Sequence, residues 1–218
     1  MKRWLVIAGL SVTLAACGGE EKSTVTTEAP KAQQSTEAKP AAQTVAATPQ
    51  DKNALAEEAK AAVQALGGTL KGELQQAMKS GGPVNALSVC NTKAPEIASA
   101  VSAEKNLQVS RVSLKNRNPD MGKPNAWQIR VLEDFENRKA AGESPMTLAY
   151  SEIVDNGGQQ EFRFMKAIPT DKLCLVCHGT DISPAIQAKL TELYPQDKAT
   201  GYKEGDLRGA FVVVKSLN

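Results

Sequence analysis

Histidine is almost missing from this chain: His178 is the only one among 218 residues. That excludes any metal centre that needs two imidazoles from one molecule. Aromatic residues make up only 4%. The core must therefore be built mainly from Leu, Val, Ile and Ala, and a bound apolar group could supply bulk that the side chains do not. The apolar stretch Trp4 to Ala16 is too short for a comfortable membrane span. No glycine-rich phosphate loop and no internal repeat is present. Surplus positive charge is also lacking. Without Lys2 and Arg3, the 26 basic residues fall to 24, equal to the 24 acidic ones. A nucleic-acid partner, which would need a basic patch, is not expected.

What is present begins with a targeting pattern. Lys2 and Arg3 precede the apolar stretch, which ends in Leu14-Ala15-Ala16-Cys17 followed by Gly18-Gly19. Residues 1–16 read as a secretory signal of lipoprotein type. Cleavage would leave Cys17 to carry the lipid. The alternative is an ordinary signal with Cys17 incidental, but a Cys in such a segment has no structural role of its own. Gly18 is not the Asp that retains lipoproteins in the inner membrane. The expected location is therefore the periplasmic side of the envelope, lipid-anchored to the outer membrane. Residues 17–50 are rich in Thr, Ala, Gln, Glu, Lys and Pro and have almost no large apolar residue. Such a segment cannot offset its ordering entropy and reads as a tether. The folded domain is expected over 51–218.

Leu55, Ala59, Val63, Leu66, Leu70 and Leu74 recur at steps of four and three, a helical stripe. Gly67-Gly68 are expected to bend or split that helix, and Gly81-Gly82 to end it. Pro83 suits the start of a second helix to about Thr92, and Pro95 a third to about Ala103. Leu107 to Ser113 alternates as a strand, and Asn125 to Ala140 is helical with Trp127 and Phe135 read as core. Met146 to Val154 and Gln159 to Ile168 read as strands joined by the turn Asp155-Asn156-Gly157-Gly158. Pro184 to Leu193 is a short helix, and Gly209 to Val214 a buried β-branched last strand. Helices lead and an antiparallel sheet follows, an α+β arrangement.

The chemistry is concentrated in Leu173-Cys174-Leu175-Val176-Cys177-His178-Gly179, which contains C-x-x-C-H. Two thiols three positions apart can reach both vinyl groups of one haem, and the next imidazole then lies under the iron as proximal ligand. A thioredoxin-type C-x-x-C would open a helix in a βαβ unit, whereas the pattern upstream here is a hairpin. A zinc site needs four ligands, and this run offers three. The expected cofactor is one covalent haem c, held by Cys174 and Cys177 with His178 on the iron. Cys90 is then left as an unpaired thiol in an oxidising compartment. The sixth iron position would be empty, or filled by an external ligand, a Lys, Cys90, or one of Met78, Met121, Met146 and Met165.

Several stretches resemble a known family. They are Ala86-Leu87-Ser88-Val89-Cys90 with Ala94-Pro95-Glu96-Ile97-Ala98; Arg111 to Pro119 with Asn125-Ala126-Trp127; Phe162 to Ile168 leading into the haem motif; and Tyr194-Pro195, Ala199 to Tyr202 and Gly205 to Ala210. The chain is similar there to the single-haem c-type cytochromes with a PAS-like fold, a family with a member associated with cyanobacterial photosystem II. The resemblance covers roughly residues 55–217. It implies a PAS-like antiparallel sheet flanked by helices, and His/Cys axial ligation with the Cys at the position of Cys90. Arg111, Lys115 and Arg117 are candidates for the haem propionates, the alternative being a solvated loop with surface charges. Phe164 and Tyr150 are candidates for the pocket wall, though alternation alone does not choose their face.

The function expected first is low-potential electron transfer with a redox partner protein. The second is a redox or diatomic-gas sensor acting through a partner. Membrane contact is expected through the lipid alone, and a homodimer is the expected assembly. An enzyme such as a peroxidase would need an open iron and a distal acid–base group, and with no second histidine none is expected.

Overall fold

The computed structural model describes residues 49–217. The expectations for the signal segment, for Cys17 and for residues 18–48 lie outside the described residues. Helix α1 runs Pro49–Lys105, with one break at Gly82 (φ 72°, ψ −173°). A positive φ there suits glycine, and Pro83 then restarts the helix. Gly67 does not break it. A Cβ at Gly67 would lie 3.1 Å from Cζ of Phe211, so this glycine lets the helix close on the sheet. Nor does Pro95 begin a separate helix; it sits within the second segment of α1. A proline here forfeits one backbone hydrogen bond. Burial of Ala94 and Val101 on either side keeps the helix continuous through it.

The remaining elements are β1 (Gln108–Val112), α2 (Pro119–Gly122), α3 (Ala126–Ala140), β2 (Ala149–Asp155), β3 (Gln160–Pro169), α4 (Lys172–His178), α5 (Pro184–Leu193) and β4 (Leu207–Leu217). Asn106, at φ 53°, turns the chain from α1 into β1. Asn125 and Gln128 form a reciprocal capping box that starts α3. In the β2–β3 turn, Asn156 N–H donates to the Gln159 carbonyl and Gly158 N–H to Asp155 Oδ1.

The strands form one antiparallel sheet in the order β1-β4-β3-β2. The β-branched run of β4 therefore lies between two neighbours, as a run without polar alternation should. Both faces are covered. Phe162, Phe164 and Val213 pack with Ala59, Val63 and Leu66 of α1. Their strand neighbours Met165 and Val212 face the other way, onto Val131, Leu132 and Phe135 of α3. The fold is α+β, with α1 along one face and α3 on the other. Phe135 is fully buried, and Trp127 packs against the same cluster with the Arg163 guanidinium 5.0 Å from its ring. Phe164 and Tyr150 join these two clusters and do not line the cavity described below.

Gly209 is the tightest point of the sheet. A Cβ there would lie 2.3 Å from the Val112 carbonyl oxygen and 3.0 Å from Cβ of Ser113, at φ 152°. The pairing of β3 with β4 slips at this place, beside Ile168 and Pro169. Gly209→Ala is expected to cost about 1–3 kcal/mol through strain and overpacking. Urea unfolding checks it: an unchanged midpoint would show that β1 and β4 can part without cost.

Candidate functional site

A cavity of about 300 Å³ opens between α1, the end of β1 and α4, at the small end of the range for ligand pockets. One wall is apolar, with Leu66, Leu74, Met78 and Leu87 of α1. Facing it are the motif residues Cys174, Cys177 and His178, and around it stand Cys90, Tyr194 and three arginines.

Local structure explains the grouping of the motif. Asp171 caps the start of α4. Within one turn of this helix, Cys174, Cys177 and His178 stand at i, i+3 and i+4 and share a face. The thiol-bearing run is thus helical, but it follows an antiparallel hairpin and not a βαβ strand.

His178 is held from behind. Its Nδ1 lies 2.6 Å from the Ala199 carbonyl oxygen. That oxygen can only accept, so Nδ1 carries the proton and Nε2 keeps its lone pair, as a metal-ligating imidazole requires. Burial holds the ring's pKa well below the ordinary histidine value, and the charges of Arg208 and Arg117 push the same way. The ring is therefore neutral at pH 7. Tyr202 meets it edge-on, with centroids 6.3 Å apart.

Arg117 braces this arrangement. It is almost fully buried, pairs with Asp197 at 3.0 Å, and donates to the carbonyls of Cys177 at 2.5 Å and Ala199 at 3.4 Å. Asp197 in turn accepts from the Ala199 N–H at 2.7 Å. Of the expected carboxylate partners, Arg117 is thus committed to protein groups. Lys115 turns to the Thr200 carbonyl and the Tyr202 ring. Arg111 lines the cavity, as does Arg208, which carried no role in the sequence reading. Arg208 stands at the start of β4, and nothing local in sequence distinguishes it from a surface charge.

Cys90 lies on the second segment of α1, on the cavity wall. Its side chain is accessible although protein surrounds it on most sides, because its exposed surface is the cavity itself. Burial raises its pKa, while the charges of Arg111, Arg117 and Arg208 lower it. Burial also raises the Cys177 thiol. Met78 and Met121 reach the cavity as well. Met165 is buried in the α3 core and Met146 is exposed, so neither does. Among the described residues, no three Cys, His, Asp or Glu side chains converge tightly enough to hold a bare metal ion. The donors are spread around the walls, an arrangement suited to a flat group carrying its own metal.

Fold and site together define a small α+β domain built round a cavity that carries thiols and one imidazole. The model of the Tll0287-like family matches residues 26–216, and the chain belongs to that family. Among solved structures, it is similar to the cyanobacterial heme-protein Tll0287, with 24% identity and a TM-score of 0.52, over 77% of this chain and 95% of that one. The comparison with curated proteins finds no match.

Proposed function

We propose that this protein binds one c-type haem in the α1–α4 cavity and serves low-potential electron transfer at the cell envelope. The observation that carries the reading is His178: a half-buried, neutral imidazole on the C-x-x-C-H helix, with Nδ1 tied to Ala199 and Nε2 free to ligate. The similarity to a heme-protein supports the same cofactor.

In this reading Cys174 and Cys177 form thioethers to the ring and His178 is the proximal ligand. Cys90, on the wall of the same cavity, would be the second protein ligand to the iron. The apolar side chains of α1 exclude water, and a metal-bound thiol is deprotonated outright. Burial raises the free Cys90 thiol, and the charges of Arg111, Arg117 and Arg208 offset part of that rise. When bound, the haem supplies one-electron chemistry at its iron. An anionic thiolate ligand favours the ferric state, hence a low potential. With both His178 and Cys90 holding the iron, no position would be left for a substrate, which suits a carrier. Cys17, from its place after Leu14-Ala15-Ala16, would carry the lipid, with residues 18–48, before α1, as the tether facing the periplasm.

Ferric EPR and optical spectra of the holoprotein, taken beside Cys90→Ala, test the ligation. A low-spin thiolate-type signal in the wild type that the variant loses is the expected result. Spectra unmoved by the substitution would assign the sixth position to another ligand. Rapid electron exchange with periplasmic cytochromes is expected from a carrier, and none with any donor would exclude that role.

A further inference from the structure

Two of the three cavity arginines have no carboxylate partner among the described residues. Arg208 Nε is buried and makes no hydrogen bond. Its Nη1 reaches only the Lys115 carbonyl, at a long 3.4 Å, and its guanidinium stacks 5.4 Å from the Tyr202 ring. Arg111, on the adjacent strand, pairs in register with Phe211, three residues along β4 from Arg208. Arg117 differs, because its charge is already balanced by Asp197.

Arg208 is half-buried and Arg111 keeps accessible surface, both on the cavity lining. A guanidinium partly withdrawn from water without an anion is costly, and two beside one cavity are more so. Burial depresses both arginines, which is the same cost seen as acidity. The cavity is therefore two-sided, apolar along α1 and cationic along β1 and β4. A haem is two-sided in the matching sense, with an apolar ring and two carboxylates at one edge. Planar guanidinium groups bind carboxylates bidentately.

We infer that Arg208 and Arg111 form the carboxylate-binding edge of the cavity and hold the two propionates, while Arg117 takes no part and acts only as a brace. The inference rests on the haem reading above and adds Arg208 to it. Each of these cations offsets negative charge at the ring edge and so favours the reduced iron.

The test is the midpoint potential of full-length holoprotein carrying Arg208→Gln, Arg111→Gln or Arg208→Lys, with Arg130→Gln on the exposed side of α3 as control. Covalent haem content by pyridine haemochrome is measured on every sample. Each Gln variant is expected to keep its haem and to show an approximately tenfold higher ferric-to-ferrous ratio at a fixed potential, about 59 mV for one electron. Arg208→Lys keeps the charge and should stay within about twofold of wild type, as should Arg130→Gln. Gln variants with full haem content and wild-type midpoints would overturn the inference. So would a wild-type midpoint that moves on adding acetate or inorganic phosphate, since the arginines would then serve a free anion. A wild type carrying no covalent haem would overturn the haem reading itself, a distinguishable result.

Discussion

Replacing Cys174 and Cys177 together by Ser will abolish covalent haem, from about one per chain to none that survives acidified-acetone extraction. The reason lies in one helical turn. Capping by Asp171 starts α4 at Lys172, so the two sulfurs and the His178 ring leave the helix on one side and face the cavity. Serine keeps the size and the helix but supplies no thiol to add across a vinyl group. Each single variant should keep one thioether and shift the ferrous α band to the red. Burial raises the Cys177 thiol, so attachment at that position depends on the thiol being delivered in place. The measurement is a pyridine haemochrome on extracted protein. Wild-type haem that extracts freely, or a double variant that retains it, would show that the motif does not attach haem.

Arg117→Met will cost about 3–5 kcal/mol of stability, because it leaves Asp197 as an uncompensated buried charge. Both partners of this pair are about one-tenth exposed, and the bond is 3.0 Å. The loss also reaches the site. Arg117 donates to the carbonyls of Cys177 and Ala199, and Ala199 accepts from His178. A second variant separates the two effects. Arg117→Met with Asp197→Leu removes both charges, so much of the stability should return, while the haem spectrum should still report a loosened His178. Denaturant unfolding of the holoproteins followed at the Soret band reads both. A single variant within about 1 kcal/mol of wild type would show that Arg117 is not the brace.

The helix at α3 was legible because its apolar stripe lies close together in sequence, and the structure adds a cap that is just as local. Asn125 and Gln128 sit three apart, and Val131, Leu132 and Phe135 follow at helical spacing. The β2–β3 hairpin was legible for the same kind of reason, since Asn156-Gly157-Gly158 between alternating runs is a local turn signal. Local signals misled at Pro95 and Gly67. A proline and a pair of glycines weaken an isolated helix, but here packing on the sheet outweighs them, and Gly67 is required by the Phe211 ring.

The chain by itself determined where the candidate chemistry lies. One histidine, placed directly after C-x-x-C, leaves little else for that run to do, and the periodicities determined the α+β class. Which side chains share the cavity was decided only by the tertiary structure. Cys90 precedes Cys174 by 84 residues, yet the break at Gly82 and the packing of Leu87 against Ile186 and Leu190 of α5 set it on the same cavity. The division of labour among the arginines was decided there too. Their charges are alike in sequence, and only folding gave Arg117 an aspartate while leaving Arg111 and Arg208 facing the cavity. Periodicity reports which face of an element is apolar; what stands opposite that face depends on contacts between residues far apart in the chain.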